Sequence, residues 1–289
     1  MNAPLHNCRL CQAESLTPFG HERYHDLDYT IIYCKSCQAV QTVEQYDAIS
    51  PTYVGMTPSA IDADHLWCQS DHKTAAFQQW QTLVQPLSTS PGGALLDVGC
   101  GTGGFLRYAA QQGWKPYGFD ASGVQAAHAR QQFDQVRQAT GCRAYLAQLA
   151  QPGLAFAMIT LWDVLEHLRA PQELMQELHA ALDEKGLLFL SVPNSGALFW
   201  KRFLYRLLGR PFSLDPWEHV FYYSPLTLQK MLPHWGFRVE QIGSVVCYPR
   251  PWSWFEGGRR LGFALLNHFP AVAPQIYCVA RKISQGSLT

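Results

Sequence analysis

The chain carries no net charge: its 289 residues hold 22 Lys and Arg against 22 Asp and Glu. A protein held to nucleic acid mainly through phosphate contacts needs a cationic excess, so nucleic acid is not the expected partner. An uncharged apolar run of about eighteen residues is also lacking, which excludes a membrane-spanning helix. The first residues show no charged-then-apolar leader, so no secretory signal is expected. Internal repeats and low-complexity tracts are absent. Charged residues make up only 15% of the chain and hydrophobic ones 47%, so a large core is expected and disorder is not. Nine cysteines without a leader point to a reducing, cytoplasmic setting, with metal-bound or free thiols rather than disulfides.

What is present centres on residues 94–104, Ala-Leu-Leu-Asp-Val-Gly-Cys-Gly-Thr-Gly-Gly. Ala94 to Val98 reads as a buried strand. Gly99, Gly101, Gly103 and Gly104 form a tight turn, and a helical stretch then runs to Gly113. Strand, glycine turn and helix make the ligand-binding corner of a doubly wound α/β sheet. Gly99, Gly101 and Gly104 also satisfy the dinucleotide spacing, a weak signal alone. Asp97 weighs against a dinucleotide, because a carboxylate beneath the turn repels a pyrophosphate and attracts a cation. Lys115 to Asp120 reads as the second strand. Its final acid lies about twenty residues past the turn, the separation at which such an acid meets ribose hydroxyls. Helix capping is the other reading of Asp120, in competition with Ser122.

The D-x-G-x-G-x-G pattern of Asp97 to Gly103 resembles motif I of the class I S-adenosylmethionine-dependent methyltransferases. Asp163-Val-Leu-Glu-His167 resembles the DVLEH signature of a bacterial branch that includes the ubiquinone-biosynthesis O-methyltransferases and sugar methyltransferases. His219 to Pro225 is similar to the H-x-x-Y-F-S/T-P stretch of the same branch. The resemblance implies a seven-stranded Rossmann-like sheet over roughly residues 65–281, closed by a hairpin of strands six and seven. It implies S-adenosylmethionine held by Asp97, Gly99, Gly101, Gly103, Asp120 and Ala121. Trp162 and Asp163 would lie beside its methionine moiety. A third strand is expected near Arg143 to Leu146, with Gln148 beyond it accepting from the adenine amino group.

Upstream, Cys8-Arg-Leu-Cys11 and Cys34-Lys-Ser-Cys37 are two C-x-x-C pairs. Residues 12–33 between them make a loop slightly longer than the roughly 15–20 typical of zinc ribbons. Four thiolates close a tetrahedral structural Zn2+ site and leave no open position for catalysis. The expected organisation is a zinc ribbon at 1–45, a linker at 46–64 and the methyltransferase domain at 65–289. Lid insertions are expected at 194–224 and 248–270. Tyr46 and Tyr53 read as surface packing or as a cover over the cofactor. Residues 197–209 are apolar and aromatic, with Lys201, Arg202 and Arg206 interspersed. They read as a lid packed on its own domain or as an amphipathic segment at a membrane surface.

Methyl transfer to a hydroxyl needs the acceptor aligned behind the sulfonium methyl and a base for its proton. His219 and His167 are the candidates; each also reads as a residue pinning its own loop. The aromatic insertions favour a small-molecule, sugar or lipid-linked acceptor. Two other readings stay open at this point: an NAD-dependent oxidoreductase, which Asp97 disfavours, and a non-catalytic binding module on a cofactor fold.

Overall fold

The structure is a computed structural model that describes residues 6–24, 26–44, 71–90, 92–149, 151–210, 212–214, 216–245 and 269–283. The expected linker at 46–64 with Tyr46 and Tyr53, the start of the first helix at 65–70, and most of the second insertion lie outside the described residues.

Two sheets are present. The smaller is made of β1 (Leu16–Tyr24), β2 (Leu27–Cys34), β3 (Val40–Thr42) and β9 (Phe221–Tyr222) in that order. The larger has seven strands. In chain order they are β4 (Ala94–Val98), β5 (Lys115–Asp120), β6 (Val136–Gln138), β7 (Phe156–Trp162), β8 (Leu182–Pro193), β10 (Phe237–Ser244) and β11 (Gln275–Lys282). Their spatial order is β10-β11-β8-β7-β4-β5-β6. β8 through β6 pair in parallel, and β11 runs antiparallel between β8 and β10. The chain leaves β4 toward β5 and β6, then returns to place β7 on the other side. The switch point between β4 and β7 is where such sheets open a crevice at their carboxyl edge.

Alternation of apolar residues fills two layers. Leu95 faces a layer built by α1 (Asp71–Val84), α2 (Gly104–Gln111) and α3 (Gly123–Arg130), with Phe77, Trp80, Phe105, Leu106 and Ala129 buried there. Leu96 and Val98 face α4 (Cys142–Leu149), α5 (Pro171–Ala181) and α7 (Pro225–His234), through Tyr145, Met175, Leu178 and Leu228. The sheet is therefore covered on both faces, as its parallel strands require.

Two expectations are corrected. The third strand is β6 at Val136–Gln138, and Arg143 to Leu146 belongs to α4. Cys142, Tyr145 and Leu149 are buried at helical spacing, and the apolar run taken for a strand is that helix's inner face. The apolar periodicity of Leu174, Leu178 and Leu182 predicts a helix from Pro171 to Leu182, but Leu182 opens β8 instead. It pairs with Phe156 while Leu187 pairs with Met158, so the exposed Asp183–Lys185 bulge out between two buried ends.

The cysteine-bearing segment is bonded to the segments that follow β8 rather than tethered beside them. β3 pairs with β9, Val40 opposite Tyr222 and Gln41 opposite Phe221. The Cys37 carbonyl accepts from Thr227 Oγ1 at 2.7 Å and Ser224 Oγ at 3.3 Å, both at the capped start of α7. Ser195 Oγ donates to the Gln38 carbonyl at 2.8 Å. Ser195 begins α6 (Ser195–Leu207), the helix that follows β8 within the first expected insertion.

Candidate active site

The carboxyl ends of β4, β5, β7 and β8 bring most of the sequence-derived residues to one edge. Asp97, in β4, is 2% exposed and accepts from Thr160 Oγ1 of β7 at 2.7 Å. Burial pushes its carboxyl up from 3.8 to about 8, against the Thr160 hydrogen bond. After it the chain turns through Gly99, Gly101 and Gly103 at φ 66, 54 and 84, a region that disfavours any side chain. Gly99 has a second constraint: a Cβ there would stand 2.7 Å from Val164 Cγ2, so the turn and the segment after β7 touch through bare backbone.

Asp120 closes β5. Its carboxylate accepts from Gly101 N at 2.9 Å and Ser122 N at 2.8 Å, which locks the glycine turn to the end of the neighbouring strand. Ser122 Oγ caps α3, so the capping role weighed for Asp120 belongs to Ser122. Ala121 is exposed between them. Gln148 lies on the exposed side of α4, and its Nε2 donates to the Gln138 carbonyl at 2.9 Å. The strand-end position expected for it is not where the chain places it.

Trp162 ends β7 among the rings of Phe77, Phe105 and Phe189. Its indole N–H is buried without a partner among the described residues. Asp163 follows at φ 56, an uncommon conformation for a non-glycine residue. Three elements hold its carboxylate: Lys73 Nζ of α1 at 3.1 Å, Ser191 Oγ of β8 at 3.4 Å, and Gln275 Nε2 of β11. None of these three was legible in the sequence, because nothing local links residue 73 or 275 to residue 163.

The Leu165–His167 turn comes next. Glu166 is fully buried, and neither of its carboxyl oxygens has a hydrogen-bond partner among the described residues. Burial, with Asp163 nearby, holds it well above the usual carboxylate range. His167 Nδ1 is 2.7 Å from the Glu218 carbonyl, which favours a proton on Nδ1, and a backbone hydrogen bond at Asp163 also bears on the ring. His219 Nδ1 lies 3.1 Å from the Tyr222 hydroxyl, which itself donates to the Leu214 carbonyl. The two imidazoles stand 4.9 Å apart, centroid to centroid. Burial lowers His167, and burial together with its neighbour lowers His219 to about 4, so both rings are neutral at pH 7. Ligand atoms of Glu166, His167 and His219 lie within 4.8 Å of one another, close enough to share a cation.

A second group lies in the small sheet. The ligand atoms of Cys8, Cys11, Cys34 and Cys37 also lie within 4.8 Å of one another, and all four thiols are free of disulfides. Cys8–Cys37 and Cys11–Cys34 sulfurs are 3.7 and 3.6 Å apart. Tetrahedral sulfurs about 2.3 Å from zinc stand about 3.8 Å from each other, so the cage has the right size. The two knuckles repeat one geometry: Gln12 N bonds the Cys8 carbonyl and Gln38 N the Cys34 carbonyl, with both glutamines at positive φ.

The family described as a methyltransferase domain matches residues 41–242. The ubiquinone biosynthesis O-methyltransferase of Coxiella burnetii is 29% identical over 175 residues, 57% of this chain and 72% of that protein. The crystal structure of a SAM-dependent methyltransferase from Aquifex aeolicus is 16% identical with a TM-score of 0.50, covering 79% of this chain and all of that one. That of the plantazolicin methyltransferase, in complex with a triazolic desmethyl analogue and SAH, is 14% identical with a TM-score of 0.53, covering 81% and 94%.

The buried acid has a consequence for stability. A carboxyl whose folded pKa lies above its unfolded value keeps its proton longer in the folded chain. Stability therefore falls as pH rises from about 4 to about 8, then levels. In the ligand-free protein Asp97→Asn is expected to flatten that decline and raise stability above pH 8 by on the order of a few kcal/mol. Denaturant midpoints across the range measure it; parallel profiles for the two proteins would contradict the assignment.

Proposed function

This chain belongs to the methyltransferase-domain family, and on that premise we propose that it moves the methyl group of S-adenosylmethionine to an oxygen of a small-molecule, sugar or lipid-linked acceptor. The observation that carries the reading is the buried Asp97 beneath the glycine turn. A cation stabilises the ionised form of such a carboxyl, whereas a pyrophosphate raises its pKa further. Asp97 would hold the amino-acid end of the donor and Asp120 its ribose hydroxyls, with Ala121 beside the adenosine. Backbone at Gly99, Gly101 and Gly103 allows close approach. Trp162 and Asp163 would border the methionine moiety. The oxygen acceptor draws support from the similarity to the Coxiella ubiquinone biosynthesis O-methyltransferase. The oxidoreductase and non-catalytic readings gain nothing from the family.

When bound, the donor supplies an activated methyl group whose carbon–sulfur bond breaks as the acceptor oxygen bonds to carbon. The chain's part is alignment and removal of the hydroxyl proton. His167 is the better base of the pair. The Glu218 carbonyl favours its tautomer with Nε2 as acceptor, while His219, lowered to about 4, is a weak proton acceptor. The four cysteines of residues 1–45 would hold a structural zinc, whose folding energy supports a segment too small to build its own core.

Calorimetric titration tests the donor. S-adenosylmethionine is expected to bind, NAD is not, and affinity should rise with pH until it levels above about 8 as Asp97 ionises. Asp97→Asn should weaken binding about 10- to 100-fold, the range of a lost charged hydrogen bond, and remove the pH dependence. Binding of NAD in place of the adenosyl donor would end the proposal. His167→Ala should lower kcat by about 10²–10⁴-fold with donor affinity unchanged; steady-state rates on an accepted hydroxyl substrate decide, and unaltered turnover removes it as the base. Cys37→Ser should lower the bound zinc below one ion per chain and destabilise the fold, read by metal analysis and thermal unfolding. A protein purified without zinc yet equally stable would refute the structural site.

A further inference from the structure

Helix α6 presents apolar side chains on two sides. Leu198 is buried among Phe19, Ile31, Val40, Leu214 and Tyr222, which seats the first turns of the helix on the small sheet. Past that seat a second stripe begins. Trp200, Phe203, Leu204, Leu207 and Leu208 recur at i, i+3, i+4, i+7 and i+8, the spacing of a single helix face. In a globular protein that pattern normally faces the core. Here it faces solvent: Trp200 is 62% exposed and Leu207 72%, and Leu204 is the least exposed at 50%. A contiguous apolar face of this kind marks a surface that something else covers.

Charge identifies the cover. Between residues 195 and 210 the chain has Lys201, Arg202, Arg206 and Arg210 and no acid, in a protein whose total charge is zero; Arg202 turns to the small sheet, where it donates to the Phe19 carbonyl, so Lys201, Arg206 and Arg210 are the cations left for the cover. A second copy of the same face would set these cations against their equivalents. An anionic surface matches them. The helix has 13 residues, about 20 Å at 1.5 Å each, well short of the roughly 30 Å of a bilayer core. Among the described residues no helix is long and apolar enough to cross a membrane.

We propose that α6 is an interfacial anchor that lies flat on an anionic lipid bilayer, with the Trp200–Leu208 stripe at the headgroup–acyl boundary and the basic side chains at the lipid phosphates. A separate observation extends the surface. Asn194, the N-cap of α6, donates through Nδ2 to the Pro270 and Ala273 carbonyls at 2.8 and 2.7 Å. Residues 270–273 thus lie beside the start of α6, and Phe269 next to them is 61% exposed. α6 also follows the end of β8 and begins four residues beyond Ser191, which holds Asp163. The membrane contact therefore adjoins the edge of the sheet that carries the site. This inference does not rest on the methyl-transfer reading.

Vesicle flotation of the full chain tests it, with phosphatidylcholine alone and with phosphatidylcholine mixed with phosphatidylglycerol. The chain is expected to float with the mixed vesicles and not with the neutral ones, and added salt should weaken the association. Arg206→Gln with Arg210→Gln should reduce the partition coefficient about twenty-fivefold, roughly fivefold per cation. Trp200→Ser with Leu207→Ser should abolish flotation while thermal unfolding stays cooperative, since both side chains are exposed. Equal binding to both vesicle types, or binding unaffected by either pair of substitutions, would overturn the proposal. So would the absence of flotation together with self-association that the Trp200→Ser/Leu207→Ser pair removes, which would assign the stripe to a second copy of the chain.

Discussion

A carboxyl group taken almost entirely out of water at the switch point of a parallel sheet is the constraint around which the rest is arranged. Removing an ionised carboxylate from solvent costs several kcal/mol even after relaxation. Asp97 has Thr160 Oγ1 as a hydrogen-bond donor and a proton it keeps to about pH 8. Everything on its carboxyl side is built for close approach. The turn has no side chain at Gly99, Gly101 or Gly103, and Asp120 grips the Gly101 N–H so that the ends of β4 and β5 move as one. The methyltransferase fold thus holds one acid buried with its pKa raised and a second one, at the end of the neighbouring strand, hydrogen-bonded to backbone.

The cysteine ribbon is tied into the substrate side of this arrangement. β9 belongs by sequence to the first insertion and by hydrogen bonding to the ribbon's sheet. Tyr222, in β9, is opposite Val40 and bonds His219 through its hydroxyl. One residue further, Tyr223 donates to the Leu165 carbonyl in the turn that carries Glu166 and His167. Two residues beyond Tyr222, Ser224 reaches the Cys37 carbonyl. A metal that fixes Cys37 therefore bears, through two short backbone paths, on where both histidines stand. The ribbon is a wall of the site, in the mechanical sense, even though a closed four-thiolate cage has no coordination position to offer a substrate.

Much of this was legible from residue patterns. The limits of β4 and β5 agree with the structure residue for residue, because glycines bound the strands and the apolar runs are short. Both C-x-x-C pairs come together at the spacing a metal needs. Misreadings arose where one local pattern serves two structures. Arg143 to Leu146 is apolar enough for a strand, and only the burial of Cys142, Tyr145 and Leu149 together reveals a helix. Contacts across long stretches of chain left no local trace at all. Lys73 and Gln275 look like ordinary polar residues until the fold sets both against Asp163. The buried carboxyl of Glu166 was read as part of a signature and not as a group without partners.

The two acids at the β4 and β7 ends have different surroundings. Asp163, at an uncommon φ, pairs with Lys73 and accepts from Ser191 and Gln275. Asp97 has no cation so close among the described residues: Lys73 lowers its pKa only as the weakest of four contributions, and burial dominates. Asp120 adds to the cost of ionising Asp97, so three carboxyls meet at this edge with Lys73 closest to one of them. On the proposed reading, a cationic donor would favour ionisation of Asp97 where a phosphate-bearing ligand would oppose it, so selectivity between the two would rest on the protonation of one buried acid.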